Sequence, residues 1–305
     1  MTVIIPARPG ASEVPAAVAA RALDYPEELL EVLVARGAQP SAQRNLALRQ
    51  ARGELIYFLD DDSLPPPEAL RRGAAHFRDP AVQIVGGPNL CPPEAPGLEK
   101  IFAWTMASWI AFGPSRARYA RVGRTRPSSE KELILCNLMG RRETLLRHGG
   151  FDESLYPNEE NALMDEIEKE GGRLVYDPDF WVYRRPRRTF KAFCKMLMTY
   201  GRGRAEQFRL HPGWGSVLNL VPPAFCLFLL ATPFLGFWSA PVWGLYFLLL
   251  LGQTLSVGEG FRKAGVFPLL FLTHLLYGIG FWKGLFTRPR PRSQSVYEAL
   301  EIERK

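Results

Sequence analysis

Residues 51–70 read ARGELIYFLDDDSLPPPEAL. Gly53 stops whatever precedes it, and Leu55–Leu59 has the length and composition of a buried strand. Three carboxylates follow at once, Asp60, Asp61 and Asp62, and then prolines that suit the start of a helix. Like charges this close repel. Strand-end aspartates therefore imply either a bound cation or a solvated acidic turn. As a cation site, Asp60 and Asp62 offer the hard oxygen ligands that suit Mg²⁺ or Mn²⁺, ions that keep water and bridge to a diphosphate.

The flanks set these aspartates in a repeating pattern. "TVIIP" (2–6) reads as a short buried strand stopped by Pro6, 14–23 as a helix, and "LLEVLVA" (29–35) as a second strand. "PSAQRNLALRQARG" (40–53) reads as a helix capped by Ser41 and stopped by Gly53. After the aspartates, "PPPEALRRGAAHF" (65–77) reads as a helix and "AVQIVGG" (81–87) as a fourth strand. Strands alternating with helices predict an α/β fold with a mainly parallel sheet and helices on both faces. Ligands in such folds gather at the carboxyl ends of strands, where the aspartates lie. Residues 91–150 are less regular. They lead into "GGFDESLYPNEENALMDEIEKEGGRLVYDP" (149–178): a glycine turn, an acidic loop, a helix and another strand.

The 305 residues have a mean hydropathy of −0.08, an average over two unlike parts. Leu210 to Gly258 contains no Lys, Arg, Asp or Glu, and neither does Ala264 to Trp282. Runs of this length reach what a bilayer requires, roughly 20 residues. The first run divides at "FWSAPVW" (237–243) into two spans joined by a turn with interfacial tryptophans. Residues 265–286 supply a third span or a re-entrant segment. Arg184–Arg209 holds nine basic residues and one acid, Glu206, beside the apolar part, where an anionic lipid surface is the expected partner and nucleic acid is not. "FKAFCKMLMTYGR" (190–202) places Phe190, Phe193, Leu197 and Tyr200 on one stripe, fit for a lipid interface or for packing. "MTVIIPARPG" is too short an apolar run for a signal peptide, so the first domain is expected in the cytoplasm and the protein in the cytoplasmic membrane. A third full crossing would carry Arg288, Arg290 and Arg292 outside, against the positive-inside rule, and the sequence alone leaves that conflict open. Cys91, Cys136, Cys194 and Cys226 lack metal-site spacing, which predicts reduced thiols.

Residues 51–70, preceded by "SAQRNLALRQ" and "TVIIP", resemble the nucleotide-sugar domain of family 2 glycosyltransferases. "GGFDESLYPNEENALM" is similar to that family's acceptor segment, and "YGRGRAEQFRLHP" to its basic segment. These segments occur in the family's order. The resemblance implies a Rossmann-like GT-A fold and inverting transfer of a sugar from a UDP- or GDP-sugar to a lipid-linked or polysaccharide-precursor acceptor. Asp60 and Asp62 would match the DxD metal motif, with Asp61 its variable middle. Pro6, Arg44, Asp60, Asp61, Arg202 and Arg204 would surround the donor. The general base would be Glu160, with Glu159 the alternative. The expected layout is a transferase domain over 1–200, a basic juxtamembrane segment over 201–215, membrane helices over 216–286 and a polar tail over 287–305.

The chain also departs from the family. Arg36 or a neighbour stands where an aspartate usually reads the nucleobase, Arg184 where a histidine often contacts the metal, and Glu166 where an arginine is common. "FLDDDS" also suits a haloacid-dehalogenase-like phosphohydrolase with Asp60 as nucleophile and Asp62 as acid, for which Asp177 and Asp179 could supply a later acidic pair. A membrane scaffold that lost catalysis is the non-enzymatic alternative. "GRAEQFRLH" lacks the Q-x-x-R-W of processive members, which leans towards single additions.

Overall fold

The computed structural model describes residues 1–155, 158–210, 219–287 and 300–304. It divides into two compact units, one of Met1–Pro92, Ala117–Arg184 and Pro291–Lys305, the other of Pro93–Arg116 and Arg185–Arg290. The layout expected from sequence cuts the chain in order, whereas both units are discontinuous.

The first unit begins with β1 (Thr2–Ala7), α1 (Pro15–Arg21), β2 (Glu31–Arg36), α2 (Pro40–Gln50), β3 (Leu55–Leu59), α3 (Ala69–Ala75), β4 (Val82–Gly86) and β5 (Asn89–Leu90). The predicted alternation is thus present. β1 continues through Pro6, which pairs opposite Ala35, and does not stop there. Pro6 lies past the end of the β1–β3 register at Ile4 and Phe58, so its missing N–H breaks no bond on that side. α2 is capped by Gln39, whose Oε1 accepts from the Ala42 N–H; Ser41 lies inside the helix, buried. The helix closes at Ala51, before Gly53.

Residues 117–184 of this unit add β6 (Arg126–Ser128), β7 (Asn137–Arg141), α6 (Arg142–Arg147), α7 (Glu159–Lys169), β8 (Arg173–Tyr176) and β9 (Val182–Tyr183), and the far end of the chain adds β10 (Glu301–Arg304). The large sheet has the order β10-β2-β1-β3-β7-β4-β8-β6. β2, β1, β3, β4 and β8 run one way; β10, β7 and β6 run the other. Its two faces carry separate apolar cores, one around Ile5, Tyr57 and Val85, the other around Ile4, Phe58 and Met164. Side chains alternate across a strand, so neighbours such as Tyr57 and Phe58 enter opposite cores.

Asp177, just past β8, ties this layer together. Its carboxylate receives Arg72 Nε at 2.8 Å and Nη2 at 3.0 Å, and His76 Nε2 lies 2.8 Å away. Burial alone would raise its pKa, but the hydrogen bonds from His76 and Arg72 outweigh that and hold it well below the usual carboxylate range. A depressed folded-state pKa gives stability that is present above the unfolded value of 3.8 and lost as pH falls below it. Asp177→Asn is expected to cost about 2 kcal/mol at pH 7. In urea unfolding the gap from the unmodified chain should begin to narrow below about pH 4 and go on narrowing as pH falls; a gap unchanged at pH 3 would contradict the ion-pair account.

The second unit contains α4 (Gly97–Met106), α5 (Trp109–Phe112), α8 (Phe190–Leu210), α9 (Val221–Leu235), α10 (Ala240–Ser256) and α11 (Val266–Phe286). Val221–Ser256 and Phe261–Phe286 are long and apolar enough to cross a membrane. Phe225 against Tyr246 and Phe228 against Trp243 align α9 and α10 as an antiparallel hairpin, with Phe234, Phe237 and Trp238 exposed at its turn. The stripe on α8 is used for packing in part: Phe193 and Leu197 are buried, and Phe193 stacks on Phe102 at 4.3 Å, whereas Phe190 is exposed. α8 also lies against α11 with backbone-close contact. A Cβ at Gly280 would meet the Met198 carbonyl oxygen at 2.2 Å, so only glycine admits this approach. Residues 211–215 of the expected juxtamembrane segment, and 288–299 of the expected tail, lie outside the described residues.

Candidate active site

β3 delivers the aspartates as expected. The Ser63 N–H bonds back to the Asp60 carbonyl at 3.0 Å, and the Asp61 carbonyl accepts from the Ala16 N–H at 3.1 Å, which fixes the turn. Asp60 and Asp61 are half-buried and Asp62 is exposed. Burial, followed by repulsion from Asp62 and Asp60, raises the pKa of Asp61.

The carboxylates of Asp60 and Asp62 do converge on one positive charge. It is the guanidinium of Arg184, with Nη2 3.0 Å from Asp60 Oδ2 and Nε 2.7 Å from Asp62 Oδ1. The path of the chain puts it there. β9 pairs with β5, Leu64 and Tyr183 exchange backbone hydrogen bonds of 2.8 and 2.9 Å, and the Arg184 N–H donates to Leu90 at 2.9 Å. Residues 182–184 are thereby stitched to the segment just after Asp62.

A second arginine approaches from α2. Arg44 Nη2 lies 2.7 Å from Asp60 Oδ1, and its Nη1 lies 3.5 Å from Glu159 Oε1. Its side chain is only 6% exposed, so it is a buried helix residue rather than an exposed one. Glu159 opens α7 and is fully buried. Burial and then the neighbouring charge of Glu160 push its carboxyl up to about 7, with Arg44 opposing. Glu160, half-exposed, follows in the same turn.

The result is one line of alternating charge, Glu159–Arg44–Asp60–Arg184–Asp62, assembled from α7, α2, the end of β3 and the end of β9. The acidic loop is held by α2 as well. Asn45 Nδ2 donates to the Phe151 carbonyl and to Glu153, each at 2.8 Å, and Asn45 Oδ1 accepts from the Phe151 N–H. Gly150 has φ +78°, and a Cβ there would meet Asn45 Oδ1 at 2.4 Å. The Gly149-Gly150 pair is thus the sequence signal for this clamp. Arg118, a site residue not anticipated, donates to Asn161 Oδ1 at 2.5 Å inside α7 and to the Glu130 carbonyl.

Other expected residues are not members of this line. Pro6 is in β1, buried. Arg202 and Arg204 are on α8 in the second unit, engaged with Glu206 and Gln207. Arg36, at the end of β2, donates to the Ala11 carbonyl at 2.6 Å and pairs with Glu303 of β10 at 3.2 Å. Asp177 is committed to Arg72 and His76, which leaves a phosphohydrolase without the later acidic pair.

A divalent ion does not fit the aspartates as they are folded. Placed between Asp60 and Asp62, it would lie against the Arg184 guanidinium. That repulsion is on the order of 8 kcal/mol at about 4 Å and an effective dielectric of about 20. Among the described residues no group of three His, Cys, Asp or Glu side chains is arranged to hold a metal.

The family model for glycosyl transferase family group 2 matches residues 55–283, well over half the chain. The chain belongs to that family. Its fold is the GT-A fold. It is 30% identical over 199 residues to the succinoglycan biosynthesis protein ExoA of Rhizobium meliloti, covering 62% of this chain and 57% of the relative. It is 27% identical over 176 residues to the pre-mycofactocin glycosyltransferase of Mycobacterium tuberculosis, covering 57% and 36%. The transferase therefore spans about half or less of the length of these relatives. Among solved structures, the mannosyltransferase PcManGT of Pyrobaculum calidifontis, in complex with GDP-Man and Mn²⁺, aligns with a TM-score of 0.55 at 19% identity over 93% of this chain and 86% of that one.

Proposed function

We propose that the protein is a membrane-associated, inverting glycosyltransferase that moves one sugar from a nucleoside-diphosphate donor to a lipid-linked or polysaccharide-precursor acceptor. The observation that supports this most is the charged line from Asp62 to Glu159. It joins the strand-end carboxylates, expected at the donor, to the α7 acids, expected at the acceptor, about 100 residues later in the chain. In the displacement, the acceptor hydroxyl oxygen bonds to the anomeric carbon as the bond to the diphosphate oxygen breaks. Glu160, at the open end of the line, takes the hydroxyl proton. Glu159 is buried against Arg44 and keeps that arginine, and through it Asp60, in place. Asp60 and Asp62 are the residues that would hold Mg²⁺ or Mn²⁺, were Arg184 displaced. GDP-Man in the mannosyltransferase neighbour and the succinoglycan role in the name of the Rhizobium relative favour a GDP- or UDP-sugar and a cell-surface glycan or its lipid-linked precursor.

The exposed apolar hairpin turn with Phe234, Phe237 and Trp238 is the kind of surface a bilayer covers, and the basic residues of 184–209 suit the adjacent anionic headgroups. We place the protein in the cytoplasmic membrane, as a multi-pass chain with its first unit on the cytoplasmic side.

Detergent-solubilised full chain, given radiolabelled GDP-mannose or UDP-glucose with a polyprenyl phosphate or polyprenyl-diphosphate sugar, should move label into the organic phase with one donor. Release of free sugar alone, equal with and without lipid, would count against transfer to lipid.

A further inference from the structure

Asp60 and Asp62 hold a cation that belongs to the chain itself. We propose that the Arg184 guanidinium, with Arg44 behind it, does the work of a divalent ion in this transferase, so that the donor diphosphate is bound by the protein's own charge without a metal. This rests on the transferase reading above and concerns what faces the leaving diphosphate.

Arg184 sets one positive charge between Asp60 and Asp62, where a divalent ion would set two, and Arg44 adds another on the far side of Asp60. An arginine stays protonated at any working pH and presents a planar fork suited to phosphate oxygens. Arg184 spends Nε on Asp62 and Nη2 on Asp60. Its Nη1 has no hydrogen bond or ion pair among the described residues, so one donor arm remains for a phosphate. The arrangement is anchored at both ends. Backbone hydrogen bonds at Tyr183 and Arg184 fix the arginine's Cα beside the aspartate turn, and Arg44 holds the far side of Asp60 from within a buried helix. Arg184 also stands where the family resemblance expects a metal-contacting histidine, so the same substitution that weakens an ion's ligand set supplies its replacement.

The test is calorimetric titration of the detergent-solubilised full chain with UDP, GDP, CDP, dTDP and ADP, once in EDTA and once in Mn²⁺. Arg184→Ala, Arg184→Lys and Arg184→His are run beside the unmodified protein. The unmodified chain should bind one nucleotide in EDTA, with Kd changed less than about threefold by Mn²⁺. Arg184→Ala should lose about 10- to 100-fold in EDTA, the worth of a charge-assisted phosphate contact. Arg184→Lys should lose less, and Arg184→His should recover when Mn²⁺ is added. Binding by the unmodified chain in Mn²⁺ but not in EDTA would overturn the inference and leave the transferase reading intact. That comparison does not depend on any variant folding. Binding of no nucleotide under either condition would overturn both.

Discussion

Asp60→Asn should lower the initial rate of sugar transfer by about 100-fold or more. Asp60 is the junction of the charged line. Its two oxygens face Arg44 at 2.7 Å and Arg184 at 3.0 Å. An asparagine keeps the shape, but it removes the negative charge and turns an amide N–H₂ or a neutral oxygen towards two guanidinium groups. Arg44, with a side chain 6% exposed, would keep only Glu159, whose own carboxyl is already pushed towards neutrality. Breaking a buried pair from one side costs about 3–5 kcal/mol; Asp60 is 22% exposed and each arginine retains another partner, so the stability loss should fall near the lower bound. Rates at saturating donor, together with unfolding midpoints, separate the two effects. Asp24→Asn, which breaks the exposed pair with Arg71, is the control, because such pairs contribute little. Equal rates for Asp60→Asn and the control would show that Asp60 is only an acidic turn residue.

The second large effect belongs to the α7 acids, and the two should respond differently. Glu160→Gln is isosteric and half-exposed, so donor binding should persist while kcat falls by about 10²–10⁴-fold, the range for a lost general base. Glu159→Gln acts on the burial of Arg44. It should weaken donor binding and leave a larger share of kcat. The diagnostic is the split between kcat and donor Kd across the two variants. Turnover abolished by Glu159→Gln and kept by Glu160→Gln would move the proton acceptor one residue towards the amino end.

What the sequence disclosed follows from the range over which its signals act. The aspartates were legible because a buried strand and a proline-led helix fix them from both sides within twenty residues. The α7 acids were legible because a glycine turn and a helix start flank them. β7 was not, since "NLMGR" offers an asparagine, a glycine and an arginine in five residues and forms only because β3 and β4 lie on either side of it. β10 was missed for a related reason: its partner strand is more than 260 residues away in sequence. Arg184 stood out as a departure from the family pattern, but its role could not be read locally. The pairing with Asp60 and Asp62 depends on Leu64 and Tyr183 exchanging backbone hydrogen bonds across some 120 residues. Arg44 was placed near the donor, yet its burial, which makes it a structural cation, comes from the acidic segment that folds over α2.

The strand Glu301–Arg304 hydrogen-bonds into the same sheet as Thr2–Ala7, so these two segments lie on one side of any bilayer that the residues between them enter. A chain with that property traverses any bilayer an even number of times. Full traverses by all of α9, α10 and α11 would make three, an odd number that the folded sheet forbids. In the membrane-embedded arrangement proposed above, at least one of the three would dip into a leaflet and return, or lie along it.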